Sequence, residues 1–311
     1  MEKFIEIPHD DFENQHNELW RNIDVISVSF RRHSRYDYAG GKPSLDDPEA
    51  RPKGSLTKQG IELAREQAKK WKESLPADSN ITIFESPSYM VAGERQTPET
   101  HLLLPSRARQ TASIYEKEIF GDLAPTETVD DSLNPIQSQR RKRAYLLGDF
   151  MENVTEDGAK FIKDFFKIRS EVYGSDMHKF WEDYTKNILD SRVQDALEKC
   201  GASTSKDLAS NLIEFLKKIS EETEADDKKR IDLALTHGET MESFLYHVSR
   251  FLIENEQTED ATILENVSFG YNEGLDVHIE RSQLLIEWKN KIIAVGSIDD
   301  VIRYLSNHEP Q

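Results

Sequence analysis

The sequence predicts an α/β domain built as a three-layer, doubly wound, mostly parallel sheet, with helices on both faces and a helical inserted lobe. Three observations predict it. Short runs rich in β-branched residues, such as Asp24–Phe30 and Ile231–Thr236, alternate with longer stretches of helical period. Two of those runs end at histidines, in Arg32-His33-Ser34-Arg35 and Thr236-His237-Gly238-Glu239-Thr240, and ligands of such sheets bind beyond the carboxyl ends of the strands. The length, 311 residues, suits one large domain over 1–311 with a core of its own.

After a polar lead-in, the alternation in Asp24–Phe30 gives the first strand, ending at Arg31 and Arg32. Gly40, Gly41, Pro43, Pro48, Pro52 and Gly54 make Arg35–Ser55 a loop over that strand end. Thr57 is a plausible N-cap for a helix carrying Ile61, Ala64, Ala68 and Trp71 at helical spacing. Asn80–Glu85 is a second strand, residues 86–105 an enlarged irregular loop, and Ser106–Phe120 a helix. Gly121–Gln139 lacks a period and reads as loop, and the basic run Arg140–Arg143 reads as a solvated face. Three helices are expected between residues 155 and 220, two of them in the lobe at about 150–200. The strand Ile231–Thr236 and a helix over Thr240–Glu254 follow. Val267–Tyr271, Gln283–Trp288 and Lys291–Val295 are expected to close the sheet, the last two as a hairpin about Lys289-Asn290, before a helix over Ile298–Ser306.

Lys plus Arg is 40 and Asp plus Glu is 58, a net charge of -18, which repels nucleic acid and anionic membrane alike, so neither is an expected partner. The lone Cys200 cannot form an internal disulfide, Met1–Leu19 has no apolar leader core, and no apolar run approaches bilayer length. The expectation is a cytoplasmic protein. Against that acidic background, Arg32, Arg107 and the two histidines form a compact cationic set. Arg107 opens the helix of Ser106-Arg107-Ala108-Arg109-Gln110-Thr111-Ala112, and free N–H groups at a helix start already favour an anion.

Four segments in order carry a resemblance to a known family: Arg32-His33, Leu56-Thr57 with Gly60, Arg107-Ala108-Arg109-Gln110-Thr111-Ala112, and His237-Gly238. Over about residues 24–254 the chain resembles the histidine phosphatase superfamily, the phosphoglycerate-mutase-like fold. The resemblance implies a phosphomonoester hydrolase in which His33 attacks phosphorus and becomes phosphohistidine. Arg32 and Arg107 then clamp the phosphoryl oxygens, and His237 donates a hydrogen bond to the transferring group. It implies no cofactor and no metal, since arginines supply the charge neutralisation that phosphoryl transfer needs. Arg35 and Glu239 are candidate substrate contacts, although Thr236-x-x-Glu239 also forms a capping-box pattern, the preferred reading of Glu239.

The departures from the family pattern are as informative. Ser34 stands where the signature has glycine, and about twenty residues separate Ser86-Pro87 from Arg107, where the family leaves only a few. Leu133-Asn134-Pro135 puts proline where the mutase-like branch has its glutamate, and Gly238 stands where the acid branch has aspartate. Asp130, Asp131, Glu239 and Glu242 are the local candidates for the proton donor. Two alternatives follow: a catalytically silent phospho-ligand-binding or interaction protein, and a phosphomutase. The partner is a phosphorylated small molecule or phosphoprotein, and the sequence leaves the substrate and the oligomeric state open.

Overall fold

The computed structural model describes residues 9–35, 56–77, 79–86, 107–121, 141–143, 156–222 and 229–307. The expectations for residues 36–55, for most of the enlarged loop and for 122–140, with Asp130, Asp131 and Leu133–Pro135, lie outside them. In chain order the elements are α1 (His9–Arg21), β1 (Val25–Arg32), α2 (Lys58–Ser74), β2 (Asn80–Glu85), α3 (Arg107–Phe120) and β3 (Arg141–Arg143). Next come α4 (Glu156–Ala159), α5 (Ile162–Tyr173), α6 (Met177–Thr185), α7 (Ser191–Cys200), α8 (Ser205–Glu221), β4 (Arg230–Thr236) and α9 (Gly238–Glu254). The chain then continues through α10 (Thr258–Leu264), β5 (Gly274–Glu280), β6 (Gln283–Trp288), β7 (Lys291–Ser297) and α11 (Ile298–Asn307).

The strands form one sheet in the order β3-β2-β4-β1-β5-β6-β7. The expected α/β sheet with helices on both faces is present, and it is mixed. β3, β2, β4 and β1 pair in parallel, and β5, β6 and β7 continue the sheet antiparallel from β1. Alternation along each strand sorts the two faces. Val28, Phe30 and Ala234 join residues of α8, α9 and α11 in one core, while Ile83, Ile231, Leu233 and Leu235 meet Ala68 and Trp71 of α2 and Ala108 and Ala112 of α3 in another. α5, α6 and α7 surround a smaller cluster of Phe165, Phe180, Tyr184, Val193, Leu197 and Cys200. Among the described residues no helix is long and apolar enough to cross a membrane.

Several expectations are corrected. The polar lead-in is a helix, α1, held by long-range bonds. His16 Nδ1 lies 2.8 Å from Glu287 Oε1, Trp20 Nε1 donates to Glu287 Oε2, and the Lys229 ammonium donates to Leu19 O at 2.8 Å and Val25 O at 2.5 Å. Burial among these carbonyls lowers the Lys229 pKa to about 7. Between residues 155 and 220 the chain breaks into more than three helices, because Gly174 (φ 58°) and Gly201 (φ 67°) end two of them in conformations only glycine adopts cheaply. α8 packs on the sheet and not only on the lobe. The expected strand Val267–Tyr271 is irregular, and β5 begins at Gly274; the turn before it gives its backbone bonds to Arg32, as described below. The hairpin about Lys289-Asn290 is as expected, with φ of 48° and 60° at its two central residues.

Gly60 fixes how closely α2 approaches the end of β1. Thr57 caps α2 by accepting from Gly60 N at 3.0 Å, and Thr57 N donates to Arg35 O at 3.1 Å. A Cβ at Gly60 would sit 2.1 Å from Arg35 O, so backbone would have to move. Gly60→Ala is expected to cost about 1–3 kcal/mol, as overpacking does, read as a lower urea midpoint with unchanged slope. An unshifted midpoint would show that α2 tolerates a wider spacing.

Candidate active site

The site is a consequence of strand pairing. β1 and β4 run parallel with Arg32 opposite Thr236, and His33 N donates to Thr236 O at 2.9 Å. The residue after each strand is therefore a histidine at the same edge of the sheet. The His33 and His237 ring centroids lie 5.2 Å apart at an interplanar angle of 67°. Both rings are buried, at 2 % and 1 % exposed, and Arg107 beside them is 8 % exposed. His237 is the N-cap of α9, so the helix start faces the same space.

Each of the four segments has a physical role in holding this geometry. Ser34 N donates to Thr111 Oγ1 at 3.0 Å, and Thr111 Oγ1 donates to Arg107 O at 2.8 Å, which links the turn after β1 to the first turn of α3. Leu56 N donates to Gln110 Oε1 at 2.9 Å, which joins the start of α2 to α3. A Cβ on Gly238 would lie 3.2 to 3.3 Å from the Arg32 side chain, so the residue after His237 has to be small for that guanidinium to cross it. Arg32 NH1 donates to Phe269 O at 2.5 Å, and its guanidinium carbon lies 4.8 Å from the centre of the Tyr271 ring.

The electrostatics keep both rings uncharged. His33 Nδ1 donates to Ser34 O at 2.9 Å; a carbonyl only accepts, so Nδ1 carries the proton and Nε2 keeps its lone pair. Burial, then the Arg107 charge, the neighbouring His237 ring and Arg32, hold the His33 pKa well below 6.5. Burial, then Arg107 and Arg32, do the same to His237. Both rings are therefore neutral at neutral pH.

The structure brings His33, His237, Arg32 and Arg107 together. Arg35 is exposed, with its guanidinium on Gln59 Oε1 at 2.8 Å. The capping box on Glu239 does not form, because Thr236 is the last residue of β4 and the cap falls on His237, with no side-chain cap bond. Glu239 is half-buried in the first turn of α9, where its charge helps raise the Glu242 pKa after burial. Glu242 Oε1 accepts from Phe269 N at 3.0 Å and Ser268 Oγ at 3.3 Å. Glu85, at the end of β2, is 2 % exposed and pairs with Arg109 at 2.9 Å. Tyr271, 6.0 Å from the His33 ring, and Asn272 were absent from the sequence-derived set. The turn-forming run Asn272-Glu273-Gly274 was the signal available for them.

No protein-family model matches the chain, and no curated protein matches it. Similar solved structures include a protein described as mycobacterial hydrolase 1, at 12 % identity and TM-score 0.48 over 86 % of this chain and 100 % of that one. Phosphoglycerate mutase from Bacillus anthracis str. Sterne is 14 % identical at TM-score 0.47, over 92 % and 99 %. A mycobacterial glucosyl-3-phosphoglycerate phosphatase is 12 % identical at TM-score 0.44, over 88 % and 98 %. At such distances the likeness carries no weight for the chemistry, which has to come from the residues of this chain.

Because both site histidines have lowered pKa values, the unfolded chain takes up their protons near pH 6.5 while the folded protein does not until lower pH. Acidification through and below pH 6.5 therefore removes stability. Thermal unfolding followed from pH 7.5 to 5 is expected to show a steeper fall in Tm for the wild type than for the His33→Asn, His237→Asn double variant. Parallel curves for the two proteins would contradict the neutral, buried rings.

Proposed function

We propose that the chain is a metal-independent phosphomonoester hydrolase acting through a phosphohistidine on His33. The observation that carries the reading is the pair of buried imidazoles 5.2 Å apart, with Arg32 and Arg107 beside them. In this reading the lone pair of His33 Nε2 forms a bond to phosphorus as the ester P–O bond breaks. The leaving oxygen takes a proton from a carboxylic acid. Water then attacks phosphorus, giving a proton to the carboxylate left by the first step as the N–P bond breaks, and inorganic phosphate leaves with His33 neutral and the carboxylic acid restored. Arg32 and Arg107 offset the charge on the equatorial oxygens, the part a divalent cation plays in other phosphoryl-transfer sites. His237 is the donor to the transferring group through its ring N–H. Of the proton-donor candidates, Glu242 has the raised pKa a donor needs, but its carboxylate also holds the backbone of residues 268–269. Asp130 and Asp131 lie outside the described residues.

The substrate is a phosphorylated small molecule or a phosphoprotein, and neither a nucleic-acid nor a membrane partner is part of the proposal. A silent phospho-ligand binder is the second reading, favoured by the proline in Leu133-Asn134-Pro135. Turnover of an aryl phosphate in the presence of EDTA separates the two. His33→Ala is expected to abolish it, and Arg107→Ala to lower kcat by about a hundredfold to a thousandfold, as for loss of one transition-state donor. Acid-labile phosphate on the quenched wild type is expected, and none on His33→Ala. Equal activity of wild type and His33→Ala, or activity lost in EDTA and restored by magnesium, would overturn the reading; vanadate binding without turnover would favour the silent one.

A further inference from the structure

Ser34, where the related signature has glycine, does more than occupy space. It is fully buried, and its hydroxyl donates to Gly60 O at 2.6 Å. A hydroxyl has one proton, so toward Asn272 Nδ2, 2.8 Å away, Ser34 Oγ can only accept. That fixes the amide: nitrogen faces Ser34, and Asn272 Oδ1 is left with no hydrogen-bond partner among the described residues, although the residue is only 5 % exposed. Asn272 also sits at φ 59°, in the left-handed region that asparagine tolerates better than most side chains. One residue thus carries a left-handed backbone, a buried amide and a half-satisfied side chain, and together these secure one bond to the turn after β1. A buried amide oxygen without a partner calls for an explanation.

The turn that Asn272 belongs to is already bound to the other end of the same tripeptide. Arg32 N donates to Glu273 O at 2.8 Å, Asn272 N donates to Arg32 O at 3.2 Å, and Arg32 NH1 donates to Phe269 O. The Ser34–Asn272 bond completes a bracket around His33, whose Nδ1 is oriented by the carbonyl of Ser34. We infer that Ser34 and Asn272 are a pair of positioning residues that hold the Ser34 carbonyl on His33 Nδ1, and thereby hold His33 Nε2 in its nucleophilic form. The inference rests on the proposed phosphohistidine chemistry for its kinetic consequence, but not for its structural one.

The test compares wild type, Ser34→Ala, Asn272→Gly and the double variant as full-length protein. Glycine at 272 keeps the left-handed backbone without strain, so the variant removes only the amide. Nitrogen chemical shifts of the His33 ring report its tautomer, orthovanadate binding reports the cationic pocket, and kcat and KM on an aryl phosphate report the chemistry. Each single variant is expected to mix the His33 tautomers and lower kcat about tenfold, the worth of one hydrogen bond. KM and vanadate affinity should stay near wild type, and the double variant should be no worse than the more affected single. An unmixed tautomer, fully additive losses, or a loss confined to Tm would overturn the pair. If the wild type shows no turnover, the proposed function fails, and the ring shifts still decide the pairing.

Discussion

The parallel register of β1 against β4 is the constraint on which the site depends. Opposing Arg32 to Thr236 makes His33 and His237 the next residues off two adjacent strands, at one edge. Slipping that register by one residue would turn the site residues to the other face of the sheet and exchange the two cores, because side chains alternate with a period of two. Val28 and Phe30 on one face, and Ile231, Leu233 and Leu235 on the other, hold it in place. Hydrophobic burial along the strands thus sets the distance between two polar groups that lie beyond them.

Placing two guanidinium groups beside two buried imidazoles is unfavourable, and the structure shows where the compensation lies. The rings stay neutral, so the repulsion is between two fixed charges and not four. Arg32 is braced by the Phe269 carbonyl and the Tyr271 face, and the turn bearing both is held in turn by Glu242. Against the net charge of -18, the two guanidinium groups are a local concentration of positive charge.

Much of this was legible in the sequence. Alternation and helical period predicted β1, β2, β4, α2, α3 and α9 near their observed ends, and the ordered motifs supplied His33, His237, Arg32 and Arg107. What was not legible depends on contacts distant in sequence. α1 is a polar stretch whose helix is secured by Glu287 and by Lys229, neither of which any local window contains. The segment 267–271 has strand-like composition, yet its turn serves Arg32 across the sheet edge, so tertiary bonding overrode propensity. The capping pattern at Thr236–Glu239 failed for a related reason: Thr236 was already committed to the ladder with β1.

Arg31 and Arg32 show how far such reading can be carried. As letters they are equivalent. Period two separates them once the burial of β1 is known: Ser27, Ser29 and Arg31 share one face, and Val28, Phe30 and Arg32 the other. Arg31 goes to Asp276 at 2.8 Å, which also accepts from Ser29 at 2.6 Å, so its charge is neutralised within the sheet. Arg32 instead emerges beside Gly238 at the start of α9, braced by a carbonyl and an aromatic face, neither of which removes its charge. The difference between the two arginines is one step of pleat, which gives Arg31 the Asp276 carboxylate and Arg32 a carbonyl and an aromatic face.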